Sequence, residues 1–263
     1  MLILLPPSEG KTAPARGAPL RLESLSFQPL TEPRQRMLDA LVELCADPAE
    51  EARTTAARTL GLGPTQAGEL DRDAGLRDAA TARADRVYSG VLYEALDLPS
   101  LDAAARRRAG RWLAVTSGLF GLLRPSDRIP AYRLSGAVSL PRVGPVAGFW
   151  ATHLDPVVTE VAGSGLVVDV RSSTYAAFWR PGPALRDRVA TVRVLHEVGG
   201  TRKVVSHFNK ATKGRLLRDL LIDGRAPGRP GDLADHLCGL GWKTEIAGSG
   251  KEGTRLDVVV TDL

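Results

Sequence analysis

The sequence predicts an α/β fold: one compact domain over residues 1–263, with a mixed sheet flanked by helices. Three observations lead there. Short apolar runs of strand length recur at Leu2–Leu5, Trp112–Val115 and Leu166–Val170, stretches with helical periodicity separate them, and polar residues gather directly after the apolar runs. The ends of strands are where open α/β sheets place their ligands. No internal repeat or low-complexity linker divides the chain.

The opening run Leu2–Leu5, stopped by Pro6-Pro7, reads as a central strand buried on both faces. Ser8-Glu9-Gly10-Lys11-Thr12 follows at its end. Gly10-Lys11-Thr12 invites a phosphate-loop reading, but that motif needs a glycine five residues before Gly10, and Leu5 stands there. What remains is a strand end carrying Ser8, Glu9, Lys11 and Thr12.

From Pro33 to about Leu76 the period becomes helical, through Met37, Leu38, Leu41, Val42, Leu44 and Cys45. Asp47-Pro48 breaks the helix, and a second one from Glu50 to Leu60 closes at Gly61. Arg86–Tyr93 reads as a strand running into a turn, and Leu101–Ala109 as a helix whose Arg106–Arg108 run lies on its surface. Trp112–Val115 is the next strand, Tyr132–Leu134 resumes extended structure, and Phe149–Val161 is helical. Leu166–Val170 is a buried strand carrying Asp169 and followed by a helix start at Arg171–Tyr175. The last third holds strands at Thr191–Glu197, Lys203–Ser206, Trp242–Ile246 and Arg255–Val260, with helices at Ala211–Ile222 and Asp232–Leu237.

The stretch Thr116–Arg133 joins glycines, prolines and the apolar Leu119, Phe120, Leu122 and Leu123. It predicts a partly buried loop whose polar members, Ser117, Arg124, Asp127, Arg128 and Arg133, need partners or a ligand, because unpaired buried charge is costly. This loop is the expected floor of a site.

Composition, with 43% hydrophobic and 25% charged residues, is that of a soluble globular protein. No apolar run reaches a membrane-spanning length, and Met1–Pro7 is too short for a signal peptide, so a cytoplasmic protein without a membrane partner is expected. Cys45 and Cys238 stand in no metal or redox pattern, and no histidine has metal-ligand or triad spacing; a metal site is not expected. His207 beside Ser206 and Asn209 is a candidate member of a polar site. Cofactors cannot be read from the sequence.

The net charge of +5 is unevenly placed: Arg202–Arg229 holds eight basic residues against two acids, a local +6. Such a balance suits phosphate-bearing partners. In the helix near Ala211, Leu217, Leu220 and Leu221 form an apolar stripe that also carries Lys213 and Lys210, which should face inward, while Arg215 and Arg218 should be solvated.

The order of these motifs, Pro-Pro-Ser-Glu-Gly-Lys-Thr, Val87-Tyr88-Ser89-Gly90, the block Ser117–Asp127 with Tyr132-Arg133-Leu134, Phe149-Trp150, and Lys210-Ala-Thr-Lys213-Gly214, resembles the YaaA (DUF328/UPF0246) peroxide stress protein family along essentially the whole chain. The resemblance implies a single-domain α/β fold with a positively charged cleft and a helix-hairpin-helix-like element, and a role in DNA binding and in limiting intracellular iron and oxidative DNA damage. Candidates for that element are Leu237–Gly241 and the loop around Gly118 and Gly121. The first loop departs from the commoner family form, Ser-Pro-Ala-Lys-Thr, by placing a carboxylate and a glycine before Lys11.

Two function classes follow. One is a stress protein binding duplex or distorted DNA with weak sequence preference. The other is an enzyme acting on a nucleotide-like or otherwise anionic small molecule, with Glu9 as general base and Lys11 as anion holder or electrophilic partner. In either case Ser8, Tyr88, Ser117, Arg124, Asp127, Arg133, Asp169, Tyr175, Lys210 and Lys213 are the expected binding residues. An enzyme should bury a carboxylate and a lysine together; a DNA binder should spread basic groups along an open groove.

Overall fold

The computed structural model describes residues 1–261, apart from the side chains of Ser206 and His207, so the reading of His207 as a site member lies outside the described residues. Eight strands form the main sheet: β1 (Leu2–Leu5), β2 (Leu113–Ser117), β3 (Gly121–Leu123), β4 (Val167–Asp169), β5 (Val189–Val198), β6 (Thr201–Lys203), β7 (Thr244–Gly250) and β8 (Gly253–Val260). Their spatial order is β7-β8-β5-β4-β1-β2-β3, with β6 paired to the end of β5. The central five run parallel, and β3, β6 and β7 are antiparallel to their neighbours. This is the mixed sheet expected.

Among the described residues nine helices of six or more residues cover it: α1 (Thr31–Ala46), α2 (Glu50–Leu60), α3 (Gly68–Ala74), α4 (Val91–Leu96), α5 (Ala103–Trp112), α6 (Val146–Ala151), α7 (Leu154–Ala162), α8 (Ser206–Asp223) and α9 (Pro230–Gly239). Four consecutive apolar residues in β1 make sense because both faces are packed. Leu2 and Leu4 enter a core with residues of α1, α6 and α7, whereas Ile3 and Leu5 enter a second core with those of α4, α5, α8 and α9. β1 pairs with β2 on one side and β4 on the other. The strand order therefore reverses at β1, and its carboxyl end opens into the crevice where such sheets hold ligands.

Several expected elements take another form. Arg86–Tyr93 is not a strand: a helical turn, Ala84–Val87, leads through Tyr88 to α4, and only Tyr88 makes an isolated bridge, to Lys11. Val87, Leu92 and Leu96 are buried, so the apolar spacing served helix packing. The helix expected at Phe149–Val161 divides into α6 and α7, and Tyr132–Leu134 is irregular, not extended strand. Neither candidate hairpin leads into a second helix. After Gly241 the chain enters β7, and Gly118–Gly121 joins β2 to β3, with Ser117 paired to Gly121 and both Leu119 and Phe120 fully buried.

Candidate functional site

The loop after β1 folds back against the segment entering α4. The Ser8 Oγ accepts a hydrogen bond from Ser89 N–H (3.1 Å) and donates to Gly10 O (2.6 Å), while Thr12 N–H donates to Val87 O (2.8 Å). This returns Lys11 to the sheet. Its Nζ donates to Ser8 O at 3.1 Å and lies 4.2 Å from the centroid of the Tyr132 ring and 5.7 Å from that of Tyr88. Two aromatic faces thus replace much of the water around the ammonium.

Below the lysine runs a buried chain of hydroxyls. Tyr88 OH lies 2.9 Å from Tyr132 OH, which lies 2.7 Å from Ser117 Oγ, and Phe120 N–H donates to that Oγ at 2.9 Å. The sharp β2–β3 connection makes this possible, since it aims the Ser117 side chain back into the sheet end. It also leaves Gly121 at φ 71°, where a Cβ would stand 2.6 Å from the Trp150 ring.

A second carboxylate within electrostatic reach of Lys11, besides Glu9, is Asp73 of α3, fully buried. Arg133 N–H donates to Asp73 Oδ1 at 2.9 Å, and Oδ2 is buried without a partner among the described residues, as is Arg133 Nε. Burial pushes the Asp73 carboxyl up to about 7, reinforced by Glu69 and opposed by the Arg133 N–H and by Lys11. Burial draws Lys11 down to about 8, opposed by Glu9 and Asp73 and assisted by Arg133. A buried carboxyl that shares its proton near neutrality and an amine that gives one up not far above it are what proton transfer at physiological pH needs.

Glu9 does not fill the buried position expected of a general base. It is exposed at the rim, with Oε2 3.5 Å from Arg133 Nη1, because Gly10 turns the loop before Lys11 returns inward. Tyr175, buried nearby, accepts from Gly136 N–H at 3.3 Å, and burial with the nearby Glu9 charge raises its phenol.

Other expected residues brace the fold. Asp127 Oδ1 accepts from Ser26 N–H (3.0 Å) and Ser26 Oγ (2.7 Å), and its Oδ2 accepts from Arg124 N–H (2.9 Å). Arg124 donates to Leu113 O at 2.8 Å. These two are anchored to the chain itself, so the far end of the loop braces the fold. Asp169 is occupied by Arg171 through bonds of 2.9 and 2.7 Å, and Arg171 also donates to Tyr175 O and Trp179 O.

Lys213 does face inward, donating to Val170 O (2.9 Å) and Arg171 O (3.4 Å) at the end of β4, and burial lowers its pKa against the pull of Asp169. Lys210 is exposed: the stripe continues along α8, but at its amino end the packed neighbours stop. Arg218, expected in solvent, donates to Leu96 O (3.1 Å) and Asp97 O (2.9 Å) and closes the end of α4. The basic segment is further divided by Arg202, which pairs with Glu197 and Glu245.

Sequence reasoning missed Asp73 and Tyr132. The signal for Asp73 was its spacing: three residues after the buried Leu70, it shares that apolar face of α3. Among the described residues no group of three or more His, Cys, Asp or Glu comes together as a metal site. Among the described residues no helix is long and apolar enough to cross a membrane.

Fold and residues define an α/β protein with Lys11, the buried Asp73 carboxyl and a buried hydroxyl chain gathered near the reversal point of its sheet. A model of the peroxide stress protein YaaA family matches residues 1–235, and the chain belongs to that family. It is 51% identical to a UPF0246 protein of Streptomyces coelicolor over the full length of both chains. A UPF0246 protein of Corynebacterium efficiens is 41% identical, over 98% of this chain and 100% of its own. One of Corynebacterium glutamicum is 37% identical over the same shares.

Proposed function

We propose that this protein binds and acts on a small anionic molecule at the carboxyl end of β1, with Lys11 and Asp73 exchanging the proton. The observation that carries this reading is the burial of Asp73, with one carboxyl oxygen unpartnered, within electrostatic reach of Lys11. Lys11 and Arg133 supply the positive charge that holds the anion. Asp73 gives or takes the proton at the reacting atom, and Tyr88, Tyr132 and Ser117 hold the floor rigid beneath it. Ser8 and Glu9 form the rim, where Glu9 orients Arg133. Tyr175 narrows the crevice, and Lys213 fixes the neighbouring strand end around Asp169.

The test is untargeted. Wild type, Lys11→Met and Asp73→Asn are incubated with a metabolite extract, and mass spectrometry follows which anions are retained or consumed. Retention or consumption by the wild type alone is expected; identical profiles for all three proteins would end the reading.

A second reading, DNA binding within a peroxide stress response, draws support from the family's description and from the exposure of Lys203, Lys210, Arg215, Arg225 and Arg229. In this reading those side chains contact backbone phosphates with little regard to sequence. Titration of labelled duplex across a salt series tests it: affinity that does not fall with salt would exclude phosphate contacts as its source.

A further inference from the structure

A second concentration of positive charge lies at the opposite end of the sheet from Lys11. β5 and β8 begin there, at Val189 and Gly253, and the tip of the β7–β8 hairpin overhangs a cavity of about 640 Å³. Arg180, Arg186, Lys251 and Arg255 line it against a single acid, Glu252. The cavity is constructed, not a gap between loops. Thr191 Oγ1 donates to Glu252 O at 2.9 Å and pins the hairpin tip to β5, and a Cβ at Gly253 would stand 2.4 Å from Val189 O, so the hairpin seats closely on the sheet. A bulge between Ile246 and Gly248 shifts the β7 register beside the cavity.

One donor in this wall has no partner. Arg186 Nε is buried and makes no hydrogen bond among the described residues, a costly state for a guanidinium N–H. Three guanidinium forks and an ammonium, set against Glu252 and against Asp257, whose Oδ1 lies 4.0 Å from Arg255 Nε outside the cavity lining, suit an anion with several charged oxygens. No aromatic side chain lines the cavity, so it has no platform on which a nucleobase could stack.

We propose that this cavity is a binding site for a compact phosphate polyanion, a condensed phosphate or a phosphorylated sugar, independent of the Lys11 crevice. Arg186 and Arg255 hold the phosphate oxygens from below, and Lys251 closes over them from the hairpin tip.

Inorganic tripolyphosphate is the probe, titrated calorimetrically at low ionic strength into the wild-type protein and its variants. Arg186→Gln combined with Arg255→Gln is expected to weaken binding at least about tenfold. Lys251→Glu, at an exposed tip where folding is not at stake, should weaken it several-fold. The same losses are expected in a Lys11→Met background, in which any anion held at the crevice at β1 no longer contributes; a loss from the arginine variants that vanishes in that background would overturn the proposal. No binding by the wild type, or an equal loss from Lys203→Glu outside the cavity, would overturn the proposal, the latter by assigning the affinity to diffuse charge. Binding of duplex DNA without binding of tripolyphosphate would overturn it as well.

Discussion

The Lys11 ammonium sits 4.2 Å from the centroid of the Tyr132 ring, whose hydroxyl is held by Ser117 at 2.7 Å on its far side. One aromatic ring therefore carries both the electrostatic seat of the lysine and the middle link of the buried hydroxyl chain. The two roles separate by substitution. Tyr132→Phe keeps the ring and should leave the Lys11 titration near pH 8 while costing ~1 kcal/mol or more of stability through the orphaned Ser117 and Tyr88 hydroxyls. Tyr132→Leu removes the ring's attraction for the cation and should lower the Lys11 pKa further. NMR titration of the lysine ζ-nitrogens measures both; a Lys11 midpoint at the ordinary lysine value in the wild type would contradict the burial described.

Asp73 makes stability depend on pH in the unusual direction for a carboxylate. Between its ordinary pKa of 3.8 and the folded value of about 7, the folded protein holds a proton that the unfolded chain has released. Stability from this group is therefore full below the ordinary value and falls as pH rises toward 7, by up to ~1.4 kcal/mol per unit. Asp73→Asn keeps an acceptor for Arg133 N–H and removes the titration. Thermal melts should show the variant near the wild type at pH 4 and progressively more stable toward pH 7.

Gly121 and Gly61 both have positive φ, yet only the first is crowded. An added Cβ at Gly121 meets Trp150, whereas at Gly61 nothing lies within 4 Å. Gly61→Ala should cost ~1 kcal/mol from backbone strain alone. Gly121→Ala should cost at least ~2 kcal/mol by displacing Trp150, and urea unfolding of the pair reads the difference.

Arg34 is fully buried in α1 and donates to Phe120 O (3.0 Å), Ser26 O (2.7 Å) and Leu122 O (2.7 Å), so it fastens the β2–β3 connection to the helix layer. Burial lowers its pKa to about 10 against the pull of Asp127. Arg34→Ala removes a charge-assisted hydrogen bond from each of three carbonyls and should destabilise by roughly 3 kcal/mol or more; Arg34→Lys, which reaches fewer of them, should fall between. The denaturation midpoints rank the three proteins.

The strands buried on both faces were legible because nothing but a central strand explains Leu2–Leu5 before Pro6-Pro7, and the polar run after it does stand at the carboxyl end of β1. Ser117, Tyr88 and Lys11 could be chosen for the same reason: polar groups amid apolar neighbours. Asp127 and Arg124 satisfy that description equally well, but their atoms are spent on Ser26, Leu113 and each other, which spacing does not reveal. Glu9 stays at the rim because a glycine decides which way a short loop turns, while the buried carboxylate Asp73 comes in on α3, 62 residues beyond Lys11. Lys213 and Arg218 show the same limit. The helical period indicated an inward lysine, but the fate of the arginine depended on α4 ending beside it.

The order of the sheet has a consequence for how the chain acquires its fold. β1 emerges first, yet its two neighbours begin at residues 113 and 167, and the β7–β8 hairpin joins the sheet only when β8, from residues 253 to 260, reaches β5 at residues 189 to 198. Closure of the sheet thus waits for distant segments, a topology that slows folding and leaves strand edges unpaired meanwhile. During synthesis the opening strand must stay soluble through the translation of more than a hundred residues. A version cut before residue 244 would lack β7 and β8, leaving the apolar Val192 and Val194 at an open edge, and is expected to aggregate instead of forming a smaller native sheet.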